Sequence, residues 1–366
     1  MQKYLISGAR LPQQLAAIQA ELYEAIGRVM RRAVFTPAVE VEAFEKEFAD
    51  YVGIKYAVGV ASGSAAVMLA LIALGLEPGD EVISTPNVDI SASAPITHSG
   101  ARLVWVDINP RTYNLDPERL EDGITARTRV IVVTHLYGNP ADMGPILEIA
   151  NKYSIPVIED AALAIGATYQ GRQVGGLGTL GCFSFSPGKV LGALGKAGMV
   201  VTNQADLARR VKVLSSYGFQ PASLEAIERG GVGAPFEYEA EGFNARLDEL
   251  QAAVLRVKLG YLAEWVRRRR EHASHYRELL ADLEPEHLLL PQEIPGAASS
   301  FRVFVIRSAQ RHHNPARRHN LRRGLRIVGP RSARLEERHS HRKRKGWLGE
   351  LLHRGHGVDN DRSQRR

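Results

Sequence analysis

A lysine in a Pro/Gly turn and an acidic pair at a predicted strand end are the residues best suited to covalent chemistry. Lys189 ends the segment 181–189, whose first half has the pattern of a strand, and Asp160 ends the run Val157-Ile-Glu-Asp, 29 residues earlier. A lysine amine can form a Schiff base with an aldehyde, and a carboxylate can hold a proton on a ring nitrogen. A lone lysine in a turn is ordinarily a solvated charge, so the hypothesis depends on its pairing with Asp160.

A second feature is suited to binding an anion. The sequence Ser62-Gly-Ser-Ala65 stands directly before an apolar segment with the character of a buried helix. Free backbone N–H groups and the helix dipole attract a phosphate to such a helix N-terminus. The turn is therefore a candidate phosphate site.

Alternating strands and helices must position these residues. The predicted helices span 12–34, 40–51, 65–74, 117–124, 143–153 and 246–280. The predicted strands span 81–84, 102–107, 129–135, 156–160, 181–185, 199–202 and 300–307. This order predicts a three-layer α/β/α fold with a mostly parallel sheet. Ligands in such sheets bind beyond the carboxyl ends of the strands, where His135, Asp160 and Ser184 fall.

Cysteine content and hydropathy restrict the class of protein. A lone cysteine, Cys182, excludes an intramolecular disulfide and fits a reducing compartment. The longest apolar run, 65–76, is far shorter than the roughly 20 residues that a bilayer requires. The first residues, 1–15, lack the layout of a secretory signal. We therefore expect a cytoplasmic protein with no membrane partner.

Charge is unevenly distributed along the chain. Residues 301–366 contain 17 Arg and 2 Lys against 3 Glu and 2 Asp, a balance of +14 in a chain whose net charge is +7. The first 300 residues therefore carry about −7. The basic balance of the whole chain does not indicate a nucleic-acid partner for the part that has the pattern of a globular fold.

Eight stretches follow one another along the chain in the order of a known family: 39–48, 57–64, 79–83, 106–116, 135–143, 158–162, 181–189 and 242–253. Together they resemble the DegT/DnrJ/EryC1/StrS sugar aminotransferases over about residues 30–307. That family belongs to the pyridoxal-phosphate enzymes of the aspartate-aminotransferase fold, which is fold type I. The resemblance implies a pyridoxal 5′-phosphate cofactor and a keto-sugar substrate.

The resemblance implies two catalytic residues. Lys189 matches the lysine that holds the cofactor as a Schiff base and moves a proton between the substrate carbon and the cofactor. Related sugar dehydratases have histidine there, so a lysine favours transamination. Asp160 matches the partner of the pyridine nitrogen; without the resemblance it would be interpreted as a turn cap.

The resemblance also implies how the phosphate is held. Gly63 and Ser64 match the phosphate-binding turn, and Ser184 matches a phosphate-binding serine. Asn244 matches a residue that the family supplies to the neighbouring subunit's phosphate site, which implies a homodimer with shared active sites. From the residues alone, Asn244 is equally well interpreted as a helix cap before Arg246.

Two cofactor-binding positions depart from the family pattern. The family usually has an aromatic residue that stacks on the cofactor ring where this chain has Asp89. It usually has a glutamine near the cofactor's phenolic oxygen where this chain has Leu163. We expect these changes to weaken cofactor binding without abolishing the Schiff-base chemistry.

Three parts of the chain are expected. Residues 1–245 form a large cofactor-binding domain, and 246–307 form a long helix and the start of a small α/β domain that is incomplete. Residues 308–366 form an Arg/His-rich tail with almost no strand pattern. The tail is interpretable as a nucleic-acid arm, as a metal-binding tract or as the product of a frameshift in a GC-rich gene. The abrupt change at Arg307–Ser308 favours the frameshift.

The function that the resemblance implies is the transfer of an amino group from glutamate or glutamine to a keto sugar. The sugar is expected to be nucleotide-linked, and its product would enter antibiotic or surface-polysaccharide synthesis. One alternative is an impaired or regulatory relative whose basic tail binds nucleic acid. Another is an aminotransferase for a cyclic keto-polyol.

Overall fold

The computed structural model describes residues 11–220, 237–284 and 288–308, together with the backbone of 325–327. Its helices, in chain order, are α1 Leu11–Ala17, α2 Gln19–Arg32, α3 Val39–Val52, α4 Gly63–Ala73, α5 Ile90–His98, α6 Pro117–Leu120, α7 Met143–Lys152, α8 Ala205–Ser215, α9 Glu249–Leu259 and α10 Leu262–Leu280. Its strands are β1 Tyr56–Val60, β2 Glu81–Ser84, β3 Arg102–Trp105, β4 Thr128–Thr134, β5 Val157–Asp160, β6 Thr168–Tyr169, β7 Arg172–Gln173, β8 Leu180–Ser184, β9 Gly198–Thr202, β10 Ala297–Ala298, β11 Phe304–Ile306 and β12 Leu325–Ile327.

A seven-stranded sheet forms the centre of the fold, with strand order β1-β9-β8-β5-β4-β2-β3. The pairs from β8 through β5, β4 and β2 to β3 are parallel, whereas β9 is antiparallel to both β8 and β1. The carboxyl ends of β4, β5 and β8 therefore meet at one edge of the sheet. The prediction of a mostly parallel sheet is confirmed.

Apolar side chains cover both faces of this sheet. Along β4, Ile131 and Val133 belong to one buried cluster, and Val130 and Val132 belong to another on the opposite face. Helices α3 and α9 contribute to the first cluster, and α4 and α8 contribute to the second. Burial on both faces explains the continuous apolar run that predicted this strand.

The predicted long helix over 246–280 is wrong in its first part and in its continuity. Ala245 O accepts the N–H of Ala61 at 2.8 Å, which keeps the chain extended beside β1. α9 begins only at Glu249 and ends before Gly260, and α10 begins at Leu262. Glycine is a poor helix former, so the break falls at the weakest position of the pattern.

The segment 300–307 also differs from its prediction as a half-exposed strand. Only Phe304–Ile306 forms a strand, and all three side chains are buried. Phe304 and Ile306 pack against a cluster that includes Leu288 and Leu290, while Val305 packs on the other side against Tyr113 and Leu136. Both faces of this strand are therefore covered. The alternation of apolar and polar residues along 300–307 did not indicate a solvent-exposed face.

Most of the Arg/His-rich tail lies outside the described residues. The predictions of a nucleic-acid arm, a metal-binding tract or a frameshift product concern 308–366, of which the structure describes only Ser308 and β12. β12 pairs in parallel with β11, so this part of the tail does contain a strand. Among the helices of the described ranges, none is both long and apolar enough to cross a bilayer.

Candidate active site

Lys189 lies on a hairpin loop closed by paired strands. Ser184 at the end of β8 pairs with Gly198 at the start of β9. Inside the loop, the N–H of Ala193 donates to Phe185 O at 2.8 Å, and the N–H of Lys189 itself donates to Ser186 O at 2.8 Å. These bonds fix the backbone that carries the lysine.

The amine of Lys189 is partly withdrawn from water. Its side chain is half-buried, and burial lowers the pKa of the amine. The positive charge of Arg302 lowers it further, while Asp160 and Asp89 act in the opposite direction. A lowered pKa increases the neutral fraction of the amine, which is the form that attacks a carbonyl carbon.

Asp160 ends β5 beside this lysine and is only 5% exposed. Its Oδ1 accepts the N–H of Ala162 at 3.0 Å, and its Oδ2 accepts the hydroxyl of Thr134 at 3.5 Å. Burial raises the pKa of the carboxyl, and the Ala162 N–H and the charge of Lys189 oppose that rise. The structure thus brings the two predicted catalytic residues together at the carboxyl edge of the sheet.

A fully buried pair, His135 and Glu159, supports the end of β5, the strand that carries Asp160. His135 Nδ1 accepts the N–H of Ala141 at 3.0 Å, so its Nε2 carries the proton that is donated to Glu159 Oε2 at 2.9 Å. Three N–H groups of the loop 175–178 also donate to Glu159, at 2.6–2.8 Å. Burial alone would raise the pKa of Glu159, but these hydrogen bonds hold it below its ordinary value. Because both ring nitrogens of His135 are engaged, this histidine serves the fold.

The predicted phosphate turn lies against β8. Ser62 Oγ caps α4 by accepting the N–H of Ala65 at 3.1 Å, which leaves the N–H groups of Gly63 and Ser64 at the open end of the helix. A Cβ placed on Gly63 would lie 2.5 Å from Ser184 Cβ. Only glycine therefore allows the helix N-terminus to approach the Ser184 hydroxyl so closely.

The departures from the family pattern have different surroundings. Asp89 is exposed and caps α5 by accepting the N–H of Ser91 at 2.9 Å. Its negative charge raises the pKa of the Lys189 amine. Leu163 packs in the apolar cluster that includes Leu136 and Val305.

Asn244 is exposed, and its backbone forms an isolated bridge with Ser216. The alternative interpretation of this residue as a helix cap is wrong, because α9 begins at Glu249 with Asp248 at the preceding position. The side chain is thus available at the surface.

Two residues at this edge were missed by the sequence analysis. Thr134 precedes His135 at the end of β4, and its position at a strand terminus was the available signal. The guanidinium of Arg302 lies over the lysine loop, since a Cβ on Gly188 would be 3.3 Å from Arg302 Nη2. No local pattern indicates that contact, which joins positions more than a hundred residues apart.

A cavity of about 530 Å³ lies elsewhere, along α10. Its lining is mostly polar or charged: Ala263, Arg267, Arg270, Glu271, Ser274, His275 and Glu278. None of the predicted site residues contributes to it. The paired lysine and carboxylate therefore make the carboxyl edge of the sheet the better candidate.

The profile of the DegT/DnrJ/EryC1/StrS aminotransferase family matches residues 16–326. The chain belongs to this family. The match extends beyond the range 30–307 over which its motifs were recognised.

Two curated relatives of this aminotransferase show how varied the family's names are. The chain is 42% identical over 293 residues to a dTDP-3-amino-3,6-dideoxy-alpha-D-galactopyranose transaminase of Aneurinibacillus thermoaerophilus, covering 80% of this chain and 76% of that protein. It is 38% identical over 301 residues to a "Pleiotropic regulatory protein" of Geobacillus stearothermophilus, covering 82% and 77% respectively.

Solved structures support the same fold for the aminotransferase. S. venezuelae DesV in complex with a ketimine intermediate matches with a TM-score of 0.76 and 39% identity, covering 82% of this chain and 77% of that chain. A Bacillus subtilis protein, ntda, with bound cofactor PMP matches with a TM-score of 0.70 and 33% identity, covering 78% and 62%. The α/β fold predicted from the sequence is confirmed.

Proposed function

We propose that this chain is a pyridoxal-5′-phosphate-dependent aminotransferase that moves an amino group from glutamate or glutamine to a keto sugar. The observation that carries the proposal is the meeting of Lys189 and Asp160 at the carboxyl edge of the sheet, next to the helix N-terminus at Gly63. The relative with bound PMP supports the choice of cofactor.

The residues present fit this cofactor. The N–H groups of Gly63 and Ser64 and the hydroxyl of Ser184 would hold its phosphate, in a cradle that a side chain on Gly63 would fill. When bound, the cofactor supplies an aldehyde and a ring that accepts electrons from the substrate carbon.

The chain's own residues would then perform three tasks. Lys189 holds the cofactor covalently and, once released, moves a proton at the substrate carbon. Its lowered pKa favours the neutral amine that both tasks require. Asp160 keeps a proton on the ring nitrogen. The His135–Glu159 pair keeps the end of β5 in place, because it ties that strand to β4 and to the loop 175–178.

The substrate class follows from the relatives. The A. thermoaerophilus relative is named for a dTDP-linked amino sugar, which supports a nucleotide-linked keto sugar as the amino acceptor. A cyclic keto-polyol stays an alternative within the same reaction class. Cytoplasmic localisation remains part of the proposal.

We also propose a homodimer with shared active sites. Asn244 is exposed and is preceded by Phe243, whose aromatic side chain is exposed as well. Tyr217, whose N–H donates to Phe243 O at 3.0 Å, is a second exposed aromatic residue beside it. Ile90 and Leu194 are two further exposed apolar side chains, each within five residues of a proposed site residue. Apolar side chains exposed beside a functional residue favour burial against a second copy. In that arrangement, Asn244 would reach the partner's phosphate site.

The chain would divide into three parts. Residues 1–245 would form the cofactor-binding domain, 246–307 would lead into a small incomplete domain, and 308–366 would be an Arg/His-rich tail, of which the part up to residue 326 still matches the family profile. The relative named as a pleiotropic regulatory protein favours one second candidate, a regulatory member that uses the same fold.

The absorbance of the purified protein distinguishes these functions. With pyridoxal phosphate, the wild type should show a visible absorption band after excess cofactor is removed, and Lys189→Ala should lack it. Lys196→Ala is the matched control, because Lys196 is an exposed lysine seven residues further along. A folded wild type without the band would refute the proposal. The regulatory candidate instead requires salt-dependent DNA binding that is lost when 308–366 are deleted.

A further inference from the structure

A second lysine lies beneath the loop that carries Lys189. Lys258, on α9, is 1% exposed, and its Nζ donates a hydrogen bond to Gly192 O. Within the described ranges, this ammonium group forms no ion pair with a carboxylate. Burial lowers the pKa of Lys258 to about 8. A buried ammonium group that donates to a backbone carbonyl and forms no ion pair is an unusual feature of a protein interior.

The acceptor of this bond stands where the loop returns to the sheet. A Cβ on Gly192 would lie 2.6 Å from Pro187 O, so the two sides of the loop are in close contact. The next residue, Ala193, bonds back to Phe185. We therefore expect a displacement of Gly192 to shift Pro187 and the lysine two positions after it.

α9 supports the loop along one face. Gln251, two helical turns before Lys258, lies under Gly195, whose Cβ would be 3.2 Å from Gln251 Nε2. Leu255, between them on the same face, is fully buried in the cluster that contains Leu191 and Ala193. The helix thus contacts the returning half of the loop at Gln251 and at Lys258, with Leu255 buried between them.

The chemistry of Lys258 distinguishes it from the rest of this face. A methionine would fill a similar volume without desolvating a charge, so packing alone does not require lysine. What lysine adds is a strong donor, since hydrogen bonds from charged groups are about twice as strong as neutral ones. That donor is directed at a backbone carbonyl of the loop.

We propose that Lys258 is a positioning residue, which fixes the Lys189 loop through Gly192 O and so holds the Lys189 amine beside Asp160. The recipient of the Lys258 hydrogen bond is a backbone carbonyl, so Lys258 would act on Lys189 through the backbone of the loop. This inference rests on the proposed function for the role of Lys189. The hold on the loop itself does not depend on the cofactor.

Hydrogen exchange of the cofactor-free protein tests the hold on the loop. In Lys258→Met, we expect the amides of 189–195 to exchange at least about tenfold faster than in the wild type, since a tenfold change corresponds to about 1.4 kcal/mol. Lys212→Met is the matched control, because Lys212 is an exposed helical lysine. It should leave exchange in this loop unchanged. Lys258→Gln, which keeps an N–H donor, should give intermediate exchange and serves as the second variant if the methionine variant does not fold.

Kinetics of the loaded enzyme test the consequence for Lys189. We expect kcat to fall at least about tenfold in Lys258→Met with KM little changed, while the midpoint of urea unfolding stays the same or rises. Unchanged loop exchange would overturn the proposal, and so would faster exchange with an unchanged kcat. A wild type that binds no pyridoxal phosphate would instead refute the proposed function, and the exchange result would still decide whether Lys258 holds the loop.

Discussion

Two regions of the candidate site differ in how they are held. The site wall, formed by Asp160, Ser184 and Lys189, lies on strand ends and on a loop closed by paired strands. Behind the wall, each polar side-chain atom of a buried histidine–glutamate pair has a hydrogen-bond partner. The site rim, formed by Asp89 and Asn244, is exposed to solvent.

The difference indicates that the site wall and the site rim have different roles. A catalytic group must be held within a fraction of an ångström, which requires buried and hydrogen-bonded support. An exposed group can instead make its contacts with a substrate or with a second subunit. Changes to the wall should therefore affect rate or stability strongly, while changes to the rim should affect binding and pH dependence.

The largest effect is expected from Asp160→Asn. An amide has nearly the shape of the carboxylate but cannot keep a proton on a ring nitrogen. We expect kcat for transamination to fall by about 100-fold or more, with the free energy of unfolding little changed. Steady-state kinetics with glutamate as donor measure this loss. A wild-type kcat in the Asp160→Asn variant would show that the carboxylate plays no part in the chemistry.

The next effect concerns stability. Glu159→Gln replaces one acceptor oxygen by a donor group that faces loop N–H groups, so we expect the free energy of unfolding at pH 7 to fall by about 3 kcal/mol. Urea unfolding measures it. Glu121→Gln is the control, because that exposed carboxylate, paired with Lys152 at 2.6 Å, should contribute far less to the free energy of unfolding.

The same carboxylate predicts a pH dependence. The pKa of Glu159 in the folded state is held below its ordinary value of 4.5. Its stabilisation is therefore complete above pH 4.5 and is lost as the pH falls through the lower, folded value. Stability curves of the wild type and Glu159→Gln should converge in that acidic range. Parallel curves would contradict a charged Glu159.

At the rim, Asn244→Ala should weaken the affinity for pyridoxal phosphate by about tenfold, the loss expected for one hydrogen bond to a charged group. The sharper test is complementation. Mixed dimers of Asn244→Ala and Lys189→Ala subunits contain one intact site if the sites are shared, so the wild-type affinity for pyridoxal phosphate should return in that site on mixing. An affinity that stays at the weakened value after subunit exchange would place Asn244 outside the partner's site.

The smallest effect is expected from Asp89→Asn, which keeps a residue able to cap α5 but removes a charge. Because Asp89 raises the pKa of Lys189, the variant should shift the alkaline dependence of the visible absorbance to lower pH. Asp116→Asn, at the N-cap of α6, is the matched control and should cause no shift.

Elements whose patterns are local could be predicted from the sequence. The strand over 81–84 is confirmed in both bounds, and Asp160 is confirmed at the end of its strand. Lys258 was not predicted, because a lysine within an amphipathic helix is ordinarily a solvated residue. Its burial is a tertiary contact with a loop 66 positions away. The break at Gly260 was likewise missed because the apolar spacing continues across it.

The antiparallel direction of β9 limits how the hairpin that carries Lys189 can vary between relatives. Since Ser184 and Gly198 are paired, the segment between them is a closed hairpin whose two ends are fixed by one ladder. A Cβ on Gly198 would lie 2.4 Å from Ser62 O, so the end of the hairpin at Gly198 also contacts the phosphate turn. An inserted or deleted residue cannot be absorbed at either end without shifting a strand register. The hairpin should therefore be exchangeable between relatives as a unit whose two ends keep the present strand register, together with the face of α9 on which it rests.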